Sequence, residues 1–370
     1  MHVLVVPDKF KGTLTAPQAA AAIARGWSDM RPHDHVEQLP MADGGDGFGE
    51  VTGNLLNARR QTCSTVDCAG RPRLAQWWLA PDGVTAIVET AQVNGLALFE
   101  RGQFHAFRLD TFGIGAVLRQ AEQSGVRRLY VGIGGSATND GGFGLARSLG
   151  WTFWNTDGTE LRDWTRLNTL ARVETPQRRL VFDELIIAAD VMNPLLGARG
   201  ATRVFGPQKG LLEAELAHAE TCLARLAAAI EPLTGRQSSN HSGAGAAGGL
   251  GFGLEVFCGG SLQSGGEIFA NLSRLDRRIQ HADLVITGEG AMDAQTLMGK
   301  GVGRVAAAAA RNGKRCLCLA GTVSVDPTTV RWPGFQSHAI VPGVATLDES
   351  ITNAEFCLQR LAAQVASELC

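Results

Sequence analysis

The sequence predicts an α/β protein built on largely parallel sheet. Three observations carry this. Short apolar runs alternate with Ala-rich segments of helical period along most of the 370 residues. Glycines and acidic residues recur just after the apolar runs, where ligands collect at the carboxyl ends of strands in open sheets. Simple strand–helix alternation occupies both chain ends and flanks a middle of different texture. The two ends are therefore expected to share one sheet, with the middle inserted as a second α/β domain.

Taken in order, His2–Pro7 reads as the first strand. A helix should begin near Thr15, because Thr15 and Gln18 stand at capping-box spacing and Pro17 falls in the first turn. Val36–Pro40 is the second strand, followed by Asp43-Gly44-Gly45-Asp46-Gly47 and another helix. Asp82-Gly83 is a turn signal between Leu74–Leu79 and Thr85–Glu89, which predicts a β-hairpin. Helix Gly113–Ser124, strand Arg128–Ile133 and helix Gly142–Leu149 follow, then strand Leu185–Ala189 and the amphipathic helix Leu212–Glu231. Arg236–Gly243 is polar and loop-like. Simple alternation then returns: strand Ala282–Thr287, Ala-rich helix Gly301–Arg311, strands Cys316–Ala320 and His338–Val341, and a last helix within Leu347–Leu369. The expected boundaries are 1–50 plus 283–370 for the domain of both ends and 51–282 for the insertion.

Composition excludes several classes. A formal net charge of −2 gives no field to attract nucleic acid or an anionic membrane, and 6% aromatics leave few stacking platforms. No apolar run reaches 18 residues, and Met1–Asp8 lacks a basic segment before its short apolar run, so a cytoplasmic protein is expected. The eight cysteines show no C-x-x-C spacing and read as scattered free thiols.

The chemistry is read from the strand ends. Strand 1 ends in Asp8-Lys9-Phe10-Lys11-Gly12, and strand 2 runs out to Asp43. The strand at 282–287 leads to Gly288-Glu289-Gly290 with Asp293 beyond. Arg128–Ile133 leads to Gly134-Gly135-Ser136-Ala137-Thr138-Asn139-Asp140-Gly141-Gly142, and Leu185–Ala189 to Asp190 and Asn193. Carboxylates suit Mg²⁺, and glycine-turn N–H groups suit phosphate oxygens. The loop lysines Lys9, Lys11, Lys209 and Lys300 suit phosphate or carboxylate as point charges. Gly243-Ala244-Gly245-Ala246-Ala247-Gly248 has the spacing of a dinucleotide fingerprint but follows a polar segment instead of a strand, so tight turns and close helix approach explain it better. Walker A, protein-kinase and G-x-S-x-G signatures are absent.

These residues together resemble the type 1 glycerate kinase family. The matching segments are Pro7–Leu14, Pro40–Gly45, Gly132–Gly142, Asp190–Leu195, Phe205–Gly210, Gly243–Gly251 and Asp283–Gly290 with Asp293, Gln295-Thr296 and Gly299-Lys300. The resemblance implies transfer of the ATP γ-phosphate to a hydroxyl of glycerate, with the 2-hydroxyl favoured. It also implies a flavodoxin-like domain from both chain ends, an inserted restriction-enzyme-like α/β domain, and an active site in the cleft between them. ATP and Mg²⁺ are the expected cofactors, glycerate and ATP the expected small-molecule partners, with no nucleic acid or membrane. On this reading Asp190 is the expected base and Asp43 the next choice, with Lys11 also catalytic. Asp8, Lys9, Asn193 and Lys209 are expected at the substrate, and Glu289 and Asp293 at the metal. Gly134, Gly135, Ser136, Asn139, Asp140, Gly243, Gly245 and Lys300 are expected at the nucleotide. The sequence departs from the family pattern at Phe112, Ile114 and Ala116, where polar residues are usual and apolar or small ones stand here, and Asp46 stands where Glu is common. The rival readings are a kinase forming 3-phosphoglycerate or using a related hydroxy acid, a phosphate-ester isomerase or phosphatase, and a non-catalytic sensor of a phosphorylated ligand.

Overall fold

Val3–Val6 is a continuous aliphatic run with no exposed surface, as a strand covered on both faces requires. In this computed structural model it lies in the first of thirteen strands found among the described residues. The model describes residues 1–370 except Arg101, Met298, Gly299, Lys300, Pro327, Thr328 and Cys370 and the side chain of Gln295. In chain order the strands are β1 (His2–Pro7), β2 (His35–Gln38), β3 (Arg59–Val66), β4 (Pro72–Leu79), β5 (Thr85–Glu89), β6 (Arg128–Gly132), β7 (Thr152–Asn155), β8 (Leu170–Glu174), β9 (Glu184–Ala188), β10 (Ser261–Gln263), β11 (Leu284–Met292), β12 (Arg315–Val323) and β13 (Phe335–Ala339). They divide between two compact units, Met1–Asp43 with Gly266–Cys370, and Gly44–Gly265.

The first unit carries one five-stranded sheet in the order β13-β12-β11-β1-β2, parallel throughout. Counted along this unit alone, its strands run 2-1-3-4-5, the flavodoxin-like order of doubly wound folds. The two chain ends thus share one sheet, through the pairing of β1 with β11. Helix Ala16–Met30 starts at the expected capping box, with Thr15 and Gln18 each satisfying the other's backbone N–H. Its Ala19, Ile23 and Trp27 join a core with Leu358, Leu361 and Val365 of helix Ala354–Glu368. Gly26 lets those helices meet, since a Cβ there would strike the Gln359 carbonyl.

The second unit holds a six-stranded sheet, β10-β9-β6-β5-β4-β3, parallel from β10 to β5 and antiparallel from β5 to β3. The expected hairpin is β4–β5, its turn fixed by Asp82 Oδ1, which accepts from Val84 N and Thr85 N at 3.0 and 2.8 Å. The core gathers Trp77, Leu129, Val131, Phe143, Phe252 and Leu223, the last from helix Glu213–Thr234.

Several boundaries differ from expectation. The chain leaves the first unit after Asp43, not 50, because helix Phe48–Leu55 packs on the second unit's sheet; Gly49 and Gly53 face the Trp78 ring with no room for a Cβ. It returns at Gly266, not 283, because helix Leu275–His281 sits against β1 and Arg278 pairs with Glu37 beside it. Strand β11 runs on to Met292, so Glu289 lies inside a strand instead of beyond one. The last helix is two, Leu347–Thr352 and Ala354–Glu368. The β7–β8 pair was not foreseen. Among the described residues every cysteine is a buried free thiol, and no helix is long and apolar enough to cross a membrane.

Candidate active site

In a 2-1-3-4-5 sheet the ligand crevice opens at the carboxyl ends of the strands on either side of the order reversal, here β1 and β11. Asp8 stands one residue past β1 and is joined to β11 by its N–H on the Gly288 carbonyl at 2.8 Å. Its Oδ1 accepts the Lys9 backbone N–H at 2.7 Å. Glu289 lies next along β11, and its Oε1 accepts the Thr296 hydroxyl at 2.6 Å. That hydroxyl also accepts the Asp293 N–H at 3.3 Å, so one threonine ties the strand end to the loop after it.

The electrostatics of this group are unusual. Burial, then the charge of Asp43, push the Asp8 carboxyl up to about 7, against partial relief from the Lys9 N–H and ammonium. Burial and the Asp293 charge push Glu289 up to about 7, despite the Thr296 hydrogen bond. Asp8, Asp43, Glu289 and Asp293 thus form an acidic neighbourhood in which a cation is favoured. Among the described residues no three potential ligands stand close enough to make a complete cage. Mg²⁺ rarely needs one: it takes one or two carboxylates, completing its shell with phosphate oxygens and water. The hard oxygen donors here fit that requirement. Lys11 is exposed in the turn after Phe10, and Gly290 leaves space beside its backbone N–H, where a Cβ would stand at 3.2 Å.

The second unit assembles the glycine loops. Gly134 N donates to the Gly44 carbonyl at 2.9 Å, and a Cβ on Gly134 would sit 2.6 Å from the Gly45 Cα. Farther on, Gly141 N donates to Gly248 O at 3.0 Å. Ala247, Gly248 and Gly249 all adopt positive φ inside helix Ala246–Cys258, and a Cβ on Gly248 would strike the Thr138 carbonyl. The dinucleotide-like run is therefore backbone packed on backbone, with Gly243 and Gly245 at its approach. Asp190 follows β9 by two residues, and its Oδ1 accepts the Ser264 hydroxyl at 3.1 Å. Asn193 donates from Nδ2 to the Arg199 carbonyl at 2.7 Å, and its own carbonyl accepts the Gly245 N–H.

Two expected ligand contacts are internal supports instead. Asp140 is fully enclosed, and its carboxylate accepts from Thr111 N, the Thr111 hydroxyl, Gly142 N and Gly144 N at 2.8–3.2 Å. It caps helix Phe143–Ser148 and pins the Thr111 segment to it. Lys209 is 6% exposed, and its Nζ donates to the Thr138 carbonyl at 2.6 Å. Burial draws its ammonium down to about 7, with the Asp140 charge working the other way. The family-divergent stretch acts in the same supporting role. Thr111 holds Asp140, and the Arg147 guanidinium lies 5.4 Å from the Phe112 ring.

Ser136 Oγ accepts from Nδ2 of a residue the sequence reading omitted, Asn94, at 3.2 Å. Asn139 Nδ2 donates to the Thr202 hydroxyl at 3.0 Å. Glu89, also omitted, accepts Gly47 N and Gly49 N at the start of helix Phe48–Leu55. The acid at the end of a strand was the available signal for Glu89. Asn94 gave none. Lys300 lies outside the described residues.

The profile of the glycerate kinase family matches residues 3–370. The glycerate kinase of Halalkalibacterium halodurans is 34% identical over 98% of this chain and 97% of its own. The glycerate 2-kinase of Escherichia coli K12 is 34% identical over 100% and 98%. The crystal structure of a candidate glycerate kinase 2 from Salmonella typhimurium LT2 superposes with a TM-score of 0.83 at 33% identity, covering 100% of this chain and 98% of that one.

Proposed function

The chain belongs to the glycerate kinase family, and on that premise we propose that it transfers the γ-phosphate of ATP to the 2-hydroxyl of (R)-glycerate, giving 2-phosphoglycerate and ADP in the cytoplasm. The observation that carries the chemistry is the acidic neighbourhood of Asp8, Asp43, Glu289 and Asp293 at the order reversal of a parallel sheet. Phosphoryl transfer asks for alignment and charge neutralisation more than covalent catalysis.

Each group's surroundings support a role for it. Asp190, oriented by Ser264, accepts the proton of the attacking hydroxyl, with Asp43 the second choice. Lys9 and Lys11 hold the glycerate carboxylate, beside Asp8. Glu289, set by Thr296, and Asp293 would hold Mg²⁺, which when bound offsets charge on the β- and γ-phosphates. Ser136 and the backbone N–H groups of Gly135 and Gly243 bind phosphate oxygens, while Gly134, Gly245 and the enclosed Asn139 spend their donors on Gly44, Asn193 and Thr202 and shape the loops. Asp140 and Lys209 keep that loop in shape from inside.

Release of ADP that depends on glycerate tests the reading directly. Turnover with glycerate supports a kinase. Binding of ATP without turnover supports a sensor, and conversion of phosphoglycerate without nucleotide supports an isomerase or phosphatase.

A further inference from the structure

We propose that Lys209 is a positioning residue whose buried ammonium supplies the counter-charge for a phosphate bound at the Gly135–Ser136 loop. The inference deepens the kinase reading above and rests on it.

Lys209 ends the short turn Pro207–Lys209 and is 6% exposed. A charged lysine Nζ carries three donors. Here Nζ donates to the Thr138 carbonyl at 2.6 Å, and among the described residues no carboxylate forms an ion pair with it. A buried ammonium without a charge partner is costly unless a ligand supplies one.

Backbone fixes the lysine's place. The Thr138 carbonyl lies between Nζ and Gly248, where a Cβ would strike the same oxygen. Thr138 is tied in turn to Ser136: its N–H donates to Ser136 Oγ at 3.1 Å, and the two hydroxyls are 2.9 Å apart. Lys209 is thus linked through Thr138 to the loop that holds phosphate.

The titratable groups facing Lys209 are Asp140 and Cys68, and neither completes it. Asp140 is fully enclosed, and its oxygens already accept from Thr111 N, the Thr111 hydroxyl, Gly142 N and Gly144 N. Its charge favours the ammonium without bonding it. Behind it, Asp110 is raised to about 6 by burial and then by the Asp140 charge. Burial pushes the Cys68 thiol up to about 12, so it brings no charge near neutral pH. Burial of Lys209 outweighs Asp140 and leaves its ammonium at about 7, so the ligand-free protein holds it half charged near neutrality.

A phosphate at the loop brings the missing negative charge. It favours the charged lysine, and by linkage the charged lysine favours phosphate. Phosphate and proton are therefore bound together. The gain is full below about pH 7 and fades as pH rises above it. A lysine that only clamped Thr138 would serve equally well as a neutral amine and would take up no proton.

The test is calorimetric binding of ATP with Mg²⁺ to the full chain, in buffers of different ionisation enthalpy, from pH 7 to pH 9. At pH 8 wild type should take up about half a proton or more as ATP binds. Its ATP affinity should fall about tenfold between pH 7 and pH 9, the worth of one partly buried charge pair. Lys209→Met should bind ATP about tenfold more weakly than wild type at pH 7, show no such fall, and match wild type at pH 9. Asp8 and Glu289 also titrate near pH 7, but both proteins keep them, so the difference between the two isolates Lys209. Equal affinities at pH 7, parallel pH profiles, or ATP binding by wild type without proton uptake overturn the proposal. If Lys209→Met does not fold, the wild-type uptake decides. Uptake with glycerate and none with ATP would overturn the assignment to phosphate. Turnover with glycerate tests the kinase reading separately: ATP binding with proton uptake but no turnover sinks that reading and leaves the Lys209 assignment standing.

Discussion

At the scale of single residues, the fold stores unfavourable electrostatics in its acidic neighbourhood. Asp8 and Glu289 hold protons in the fold up to about pH 7, whereas an unfolded chain releases them near pH 4. Over that window the folded state binds more protons than the unfolded one. Each group therefore makes the protein less stable as pH rises from about 4 to 7. Asp8→Asn should accordingly raise stability at pH 8 by on the order of 1–3 kcal/mol, keep the Lys9 N–H bond, and show little gain at pH 4. Turnover should fall sharply at the same time. Denaturant unfolding at the two pH values checks this; a stability loss at pH 8 would contradict it. Asp190→Asn should lower kcat by about 10²–10⁴ with ATP affinity retained, if Asp190 is the base. Calorimetry with an ATP analogue beside turnover separates the two effects, and near-wild-type turnover removes Asp190 from that role. Sequence placed Asp8 and Asp190 just past strand ends because side-chain type and strand position are local properties, but it ended β11 too early, so Glu289 lies within that strand. It could not place Lys209 and Asp140 inside, because their burial comes from segments distant in the chain, Thr138 above Lys209 and Thr111 against Asp140.

At the scale of elements, the strands that read correctly were those with strong local signals. Val3–Val6 is a pure aliphatic run, and the Asp82-Gly83 turn fixes its hairpin. The capping box at Thr15 set its helix start to the residue. The β7–β8 pair was illegible because Thr152–Asn155 is four residues long and its partner, Leu170–Glu174, is mostly exposed. The glycine run 243–251 could be read only as a need for close approach; the structure supplies the partner, the loop 138–142. Gly248→Ala tests that packing. It combines a positive φ of +70° with a collision on the Thr138 carbonyl, so a loss above about 2 kcal/mol is expected. Gly83→Ala, at +71° with open space around it, should lose about 1 kcal/mol. Equal losses in the two variants would show that strain alone, and not the contact with the Thr138 loop, sets the cost.

At the scale of the whole molecule, each unit has its own sheet and its own core. Unfolding should therefore depart from a single two-state transition, with calorimetric enthalpy exceeding the van't Hoff value. One coincident transition by every probe would contradict that. Equal enthalpies would say that the two cores unfold together. The central claim concerns the reaction. The protein incubated with ATP, Mg²⁺ and each glycerate enantiomer, followed by proton-coupled phosphorus NMR, tests it most directly. The account predicts consumption of (R)-glycerate and a new phosphate-ester doublet, split by the single proton on carbon 2. A triplet, from the two protons on carbon 3, would contradict the choice of hydroxyl, and no new ester with either enantiomer would contradict the kinase itself.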